Sequence, residues 1–539
     1  MGYIDFMPAA PASTVPGKSL SRFIAAAALF MVILLASCRS TANGTPENTF
    51  TVPENLPPLI SYAMRHIPDI PENESQIFII TSAASSLTGR DNPDDARRVL
   101  DLGENLIEGS SSRRRIELLI ELSRNYVEAG VISQSIALLE QALTLTESSD
   151  QDQTRGRLVQ EIITVCFSIG SDALDLLRQA VQKIYIIEDY RLRADLLLDT
   201  ARRYQESGEG QRSNTLLQQA IPAASSIENQ LARARSFSQL ALRLTEEGNS
   251  DLALRYVNKS VEILQTDGTA APMGSGIPGT TSDEQISQTL IFLARGGNAG
   301  EALSFSNMIS NDRLRLNALL EIARAFYESD QLLQSDLVFE RIFSILERNA
   351  PDELVVSMLL NISQTYFELN DPASAELYLE ATESYFDRIT DISQKDSLLL
   401  EAAILYARLN RLESALETIA QISDPFFVAR GYSSVVNEQL NTLGSGDEGP
   451  SDELTRRFED LLERALNTEQ ESSSLEDVLR NEIAQLYQRL NSFDLALGLA
   501  SVIQDSYLKA LTLSQLHAGL SGTDEEAAII ESYSRLLLP

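Results

Sequence analysis

Side chains that could do covalent or metal chemistry are scarce in this 539-residue sequence, and their placement restricts what it can do. There are two histidines, His66 and His517, and two cysteines, Cys38 and Cys166. A zinc site or a hydroxyl–imidazole–carboxylate triad would have to recruit histidines from opposite ends of the chain, and no Cys-x-x-Cys pair exists. Carboxylates are plentiful, with 77 Asp and Glu against 43 Lys and Arg and a net charge of −34, yet none is paired in a way that marks acid–base work. No catalytic residue, metal or cofactor is therefore expected, and the expectation is a protein that is not an enzyme. The acidic field also repels phosphate backbones, so nucleic acid is not expected as a partner. Apolar residues make up 43% and charged residues 22%, which places the chain with folded rather than disordered proteins.

The chemistry that remains centres on Cys38. Residues 23–36 read FIAAAALFMVILLA, an uncharged apolar run preceded by Lys18 and Arg22. A membrane-spanning helix needs about 20 such residues, so this run fits the hydrophobic region of a secretory signal better than a span. The following Leu35-Ala36-Ser37-Cys38 resembles the bacterial lipobox, in which a small residue precedes a lipidated cysteine. That resemblance implies a diacylglycerol thioether on Cys38, removal of residues 1–37, and a second acylation at the freed amine. Several acyl chains anchor stably where one is marginal. Arg39 follows, and the absence of Asp there points to the outer membrane. With Cys38 occupied, Cys166 is the only thiol and no internal disulfide is expected. Residues 38–57 are polar, carry three prolines, and read as a tether of roughly 25 Å.

From about residue 74 the pattern is helix, short turn, helix, repeated. Five segments superimpose without gaps: 118–143, 196–221, 318–343, 358–383 and 400–425. An aromatic recurs at Tyr126, Tyr204, Phe326, Tyr366, Tyr406 and Tyr487, and Cys166, Leu244 and Leu293 fill the same position elsewhere. Four residues later stands a turn former: Gly130, Gly170, Gly208, Gly248, Asp330, Asn370, Asn410 or Asn491. Gly and Asn tolerate the left-handed conformation that ends helices. Nine after the aromatic comes a small residue, among them Ser135, Ser213, Ser335, Ala375 and Ala415, which lets the second helix approach the first.

This spacing resembles the tetratricopeptide repeat. The resemblance implies an all-α, right-handed α-solenoid of about 11–12 tetratricopeptide-like helical hairpins, with a period near 40 rather than 34 residues. Neighbours would bury each other's apolar faces, giving an open superhelix. The Gly/Pro/Thr-rich stretch 266–284 would be a loop or hinge between an N-terminal array, 58–265, and a C-terminal array, 285–539; a shorter insertion, 444–450, interrupts one hairpin.

In the tetratricopeptide family the first helix of each hairpin lines the concave groove. By register, the residues two before and two after the aromatic face it: Arg124 and Glu128, Arg202 and Glu206, Arg324 and Glu328, Gln364 and Glu368, with Leu242 and Glu246 continuing the series. Arg ahead of Glu is the poorer helix-pairing order, and Glu near a helix C-terminus opposes the macrodipole. Helix stability alone would not select this arrangement; a mixed-charge groove or contacts between repeats would. Tyr327 and Phe367, directly after the aromatic, together with Leu320, Leu360 and Leu400, form either an apolar strip for a partner helix or part of the core. His66 and His517 read as surface or packing residues. The function this implies is a membrane-tethered scaffold or adaptor in the bacterial cell envelope, binding other envelope proteins. A ligand-capturing receptor is the alternative, disfavoured by the absence of Trp as a stacking platform.

Overall fold

The computed structural model describes residues 50–107, 112–147, 151–267, 282–348, 350–443, 450–468, 473–520 and 522–539. The signal segment, Cys38, most of the tether and the body of the 266–284 loop lie outside the described residues. Among the described residues the fold is all-α, with no strand and no helix long and apolar enough to cross a membrane.

A short helix, α1 (Pro58–His66), precedes twelve helix pairs, the first eleven of them packed hairpins. Their first helices are α2 (Asn73–Thr88), α4 (Ser112–Glu128), α6 (Asp152–Ile169), α8 (Tyr190–Glu206), α10 (Gln230–Glu246), α12 (Ser282–Arg295), α14 (Asp312–Glu328), α16 (Asp352–Glu368), α18 (Ile392–Arg408), α20 (Pro425–Leu443), α22 (Ser473–Arg489) and α24 (Ser506–Ala518). Their second helices are α3 (Pro93–Ile107), α5 (Ile132–Thr146), α7 (Leu174–Ile184), α9 (Gly210–Ser225), α11 (Ser250–Asp267), α13 (Ala299–Phe305), α15 (Leu332–Leu346), α17 (Pro372–Phe386), α19 (Leu412–Ile419), α21 (Asp452–Leu466), α23 (Phe493–Val502) and α25 (Asp524–Tyr533).

Local chemistry sets each hairpin. All eight turn formers adopt positive φ, from 59° at Asp330 to 80° at Gly208, as do Asp91 and Gly297 in weaker copies. Side chains of Asp189, Asn229, Asn311, Asp391 and Asp505 accept backbone N–H groups in the first turn of α8, α10, α14, α18 and α24. The recurring small residues are buried, and Ser335 Oγ donates to the Ala323 carbonyl at 2.9 Å, fastening α15 to α14. Each core is shared between neighbours: Leu360, Leu379, Leu399, Tyr406, Ile419 and Val435 form one cluster spanning α16 to α20.

Two features correct the open superhelix. Every first helix packs against the first helix before and after it, whereas second helices scarcely touch one another; the first helices are therefore the inner wall and the second helices the outer. That inner series does not end, because α24 packs against α2 as well as α22. The array closes into a ring. α25 packs on α23, and α1 lies against α24 and α2, in the place that an outer helix takes elsewhere between its own inner helix and the next. Leu59, Ile60, Ala63 and Met64 of α1 are fully buried there. The ring also runs through the sequence-expected hinge: α10 and α12, on either side of it, pack directly together, and residues 52–539 form one compact unit.

Both histidines sit at this seam, buried rather than on the surface. His66 Nε2 donates to the Leu537 carbonyl at 2.9 Å, and His517 Nδ1 lies 2.9 Å from Ser86 Oγ. Arg90 donates to the Leu520 carbonyl, and Phe78 meets Tyr507 at 6.2 Å between ring centroids. The repeats resemble one another, so the last can meet the first much as any two neighbours meet.

Candidate functional site

Several of the inner-wall residues two before and two after the recurring aromatic pair along the wall. Arg324 bonds Glu328 within α14 at 3.0 Å and reaches Glu368 of α16 at 2.8 Å. Gln364 donates to Glu368 at 2.9 Å and accepts from Arg408 at 3.0 Å, and Arg408 continues to Glu438 of α20 at 3.1 Å. Arg489 of α22 donates to Asn437 at 2.6 Å and Asn441 at 3.0 Å. On the other side of the ring Arg124 pairs with Glu121 at 3.2 Å and approaches Glu161 of α6 at 3.6 Å, while Arg157 bridges Glu161 and Glu117. Arg202 stays with its own helix, bonding Asp199 and Glu206. Glu128 is exposed.

Contacts between repeats thus account for Arg324, Gln364 and Glu368, and partly for Arg124. Glu368 lies four residues C-terminal to Gln364 and one repeat along from Arg324, so the arrangement that a single helix would not favour is satisfied by the neighbour. The wall also perturbs its acids. Asp195 of α8 has a buried Oδ1 without a hydrogen-bond partner, and burial holds its carboxyl above the usual range against the pull of Arg235 and Arg191. Glu482 of α22 is raised in the same way, opposed by Arg430.

The apolar residues separate. Leu320 and Leu360 are buried and Leu400 packs on the core, so they do not form an exposed strip. Tyr327 and Phe367 are half-buried on the inner wall. Tyr327 is edge-on to Tyr366 at 5.9 Å, the margin of an aromatic stack in which Tyr366 lies 5.3 Å from Phe339 and 5.4 Å from Tyr378. Cys166 is fully buried, and burial pushes its thiol up to about 12, which suits an inert packing residue. Among the described residues no group of His, Cys, Asp and Glu is placed to hold a metal ion.

Sequence reasoning missed two features. One lies on the outer wall, where α15 exposes Leu332, Leu333 and Leu337, with Leu333 77% accessible, and the next outer helix exposes Leu377 at the equivalent position. Asp336 and Glu340, both exposed, flank them. The signal was present as Leu333 and Leu337, four apart and out of phase with the small-residue position that marks the packed face. The other is a set of carboxylates splicing successive hairpins. Asp396 of α18 accepts from the N–H groups of Ser423 at 3.1 Å and Asp424 at 2.8 Å, just before α20. Asp477 of α22 does the same for Gln504 and Asp505, both at 2.9 Å. Asp283 of α12 accepts from Asn311 N–H at 2.7 Å. All three stand ten residues before the recurring aromatic position.

No model of a known protein family matches this chain, and no curated protein sequence matches it. Several solved structures are similar to parts of it. Ton1535 from Thermococcus onnurineus NA1 is 15% identical at a TM-score of 0.28, over 68% of this chain and 98% of that one. The apo form of the quorum sensor NprR from B. thuringiensis is 14% identical at 0.22, over 65% and 97%. The human IFIT1 dimer with PPP-AAAA is 13% identical at 0.25, over 84% and 94%.

Proposed function

We propose that this chain is a protein-interaction scaffold of the bacterial cell envelope, held to the membrane by lipid on Cys38, with other envelope proteins as its partners and no catalytic step of its own. The lipobox-like Leu35-Ala36-Ser37-Cys38 supports the anchor, and Arg39 in place of Asp after it supports the outer membrane. The observation that carries the binding role is the leucine face of α15. Leu332, Leu333 and Leu337 are 40%, 77% and 62% accessible on one outer helix, and clustered exposed leucines of this kind mark interaction surfaces. The inner wall is the second surface, favoured by the half-buried Tyr327 and Phe367, with Arg124, Glu128, Arg202, Glu206, Arg324, Glu328, Gln364 and Glu368 as the polar residues around the ring.

The test is in-cell photo-crosslinking of the full, lipidated chain, with the crosslinker placed in turn at Leu333, Leu337, Tyr327 and Phe367. A discrete envelope protein captured from Leu333 and Leu337, and lost with Leu333→Glu, supports the scaffold and its outer face. Capture only from Tyr327 and Phe367 moves the partner to the inner wall. Retention of a glycan or small ligand, with no protein captured from any position, overturns the scaffold reading.

A further inference from the structure

We propose that the ring seam is an acid-sensitive latch: protonation of His66 and His517 releases α1 and α24 from each other and from α2, and opens the ring. The chain has two histidines in 539 residues, and both lie at the one place where its ends meet. Each joins residues from opposite ends, across 471 positions for His66–Leu537 and 431 for Ser86–His517. Both are buried, at 3% and 4% accessible.

The geometry accepts neutral imidazole and resists imidazolium. With Nε2 of His66 donating to the Leu537 carbonyl, Nδ1 is a buried nitrogen with no partner. A proton added there becomes a buried donor with nothing to accept it, which costs more than the bond at Nε2 returns. The neighbouring charges are mostly cationic. Lys509 of α24 opposes a charge on His66, Asp69 of the adjoining turn favours one, and Arg90 opposes one on His517. Of the carboxylates on the elements around α24, Asp477 of α22 and Asp505 accept backbone N–H groups at the start of that helix, on the Lys509 side, while Glu476 and Glu482 of α22 face Arg480 and Arg430 and Glu74 of α2 faces Arg114.

Burial accordingly lowers both rings, His517 from 6.5 to about 4, with Lys509 adding to the effect on His66 and Arg90 to that on His517. An open seam returns each to its ordinary value. Closure is therefore at full strength above pH 6.5 and weakens as the pH falls from 6.5 towards 4. For His517 alone that span amounts to roughly a 300-fold change in the closed-to-open ratio, and His66 acts in the same direction. The remaining hairpins contain no histidine, and the raised carboxyls of Asp195 and Glu482 favour the folded wall more, not less, as the pH falls, so the weakening is confined to the seam.

Hydrogen exchange of the full chain at pH 7.5 and 5.0, corrected for the intrinsic pH dependence, tests this directly. The expected result is a loss of protection in α1 and α24 of tenfold or more, with α14 to α18 unchanged and a larger radius of gyration in solution scattering. His66→Gln and His517→Asn keep a neutral polar side chain, and each should shrink the step; together they should abolish it. Undiminished seam protection at pH 5.0 would overturn the proposal. So would a step of undiminished size in both single variants, which remain available if the double variant does not fold.

Discussion

Asp396→Ala isolates the carboxylate splice between hairpins. The side chain is fully buried and accepts two backbone N–H groups from the segment entering α20. Alanine removes both acceptors, and the N–H groups of Ser423 and Asp424, in residues that are themselves exposed, must turn to water. A hydrogen bond to a charged group contributes about 1.5–3 kcal/mol, and with water taking part of each acceptor's place the pair should cost about 2–4 kcal/mol. Asp477→Ala breaks the same geometry at 2.9 Å to each of two donors and should fall in that range. Asp283→Ala removes one bond, from a partly exposed position, and should cost less than half as much. Urea unfolding followed by circular dichroism gives the totals. Hydrogen exchange over α19 and α20 shows whether the loss is local, as expected where stability is summed between neighbours. A cost below about 1 kcal/mol for Asp396→Ala would refute the reasoning, as would equal costs for Asp283→Ala and Asp396→Ala, because bond count would then not set the energy.

Three further outcomes follow from the geometry. Asn370 sits at φ 61°, so Asn370→Ala should lower stability by about 1–2 kcal/mol while Asn370→Gly leaves it close to wild type, measured by urea midpoint. A Cβ on Gly431 would lie 2.9 Å from Ile419 Cγ1, so Gly431→Ala should cost about 1–3 kcal/mol, and a double-mutant cycle with Ile419→Ala should show the two to be less than additive. The Arg324–Glu368 bridge is part-exposed, so a cycle of Arg324→Met and Glu368→Gln should give about 0.2–1 kcal/mol, shrinking with added salt; a larger, salt-insensitive coupling would contradict its placement on a wetted wall.

Hairpin geometry was legible in the sequence because it is local. The aromatic, the positive-φ residue four later and the small residue nine later all act within one helix-turn-helix, and every copy of the pattern kept its register in space. Ring closure was not legible. It depends on a small rotation between neighbours, accumulated twelve times, which no single repeat encodes in residue types. The bond between His66 and Leu537 is 471 residues long in sequence, so each partner looked solitary. Groove residues were half legible. The odd order of Arg324 and Glu328 finds its reason in pairing across to Glu368, visible only once the repeats are stacked, whereas Arg202 and Glu206 pair within their own helix. The Leu320 and Leu360 pair shows the opposite failure, since periodicity cannot tell a broad core from an exposed stripe.

The order in which the ring can be completed follows from α1. It is made early in synthesis, yet most of its packing is against α24, some 440 residues later, and nearly all other contacts join neighbours. Each hairpin can settle on the one before it as the chain emerges, whereas Leu59, Ile60, Ala63 and Met64 must wait with their apolar faces uncovered until the last inner helix is out. Closing so long a loop in a flexible chain would cost about 5 kcal/mol in entropy. A wall already curved by eleven stacked hairpins has met most of that cost before its ends come together, so the clasp forms last and quickly. A ribosome stalled before α24 would leave behind an almost finished ring with a sticky end.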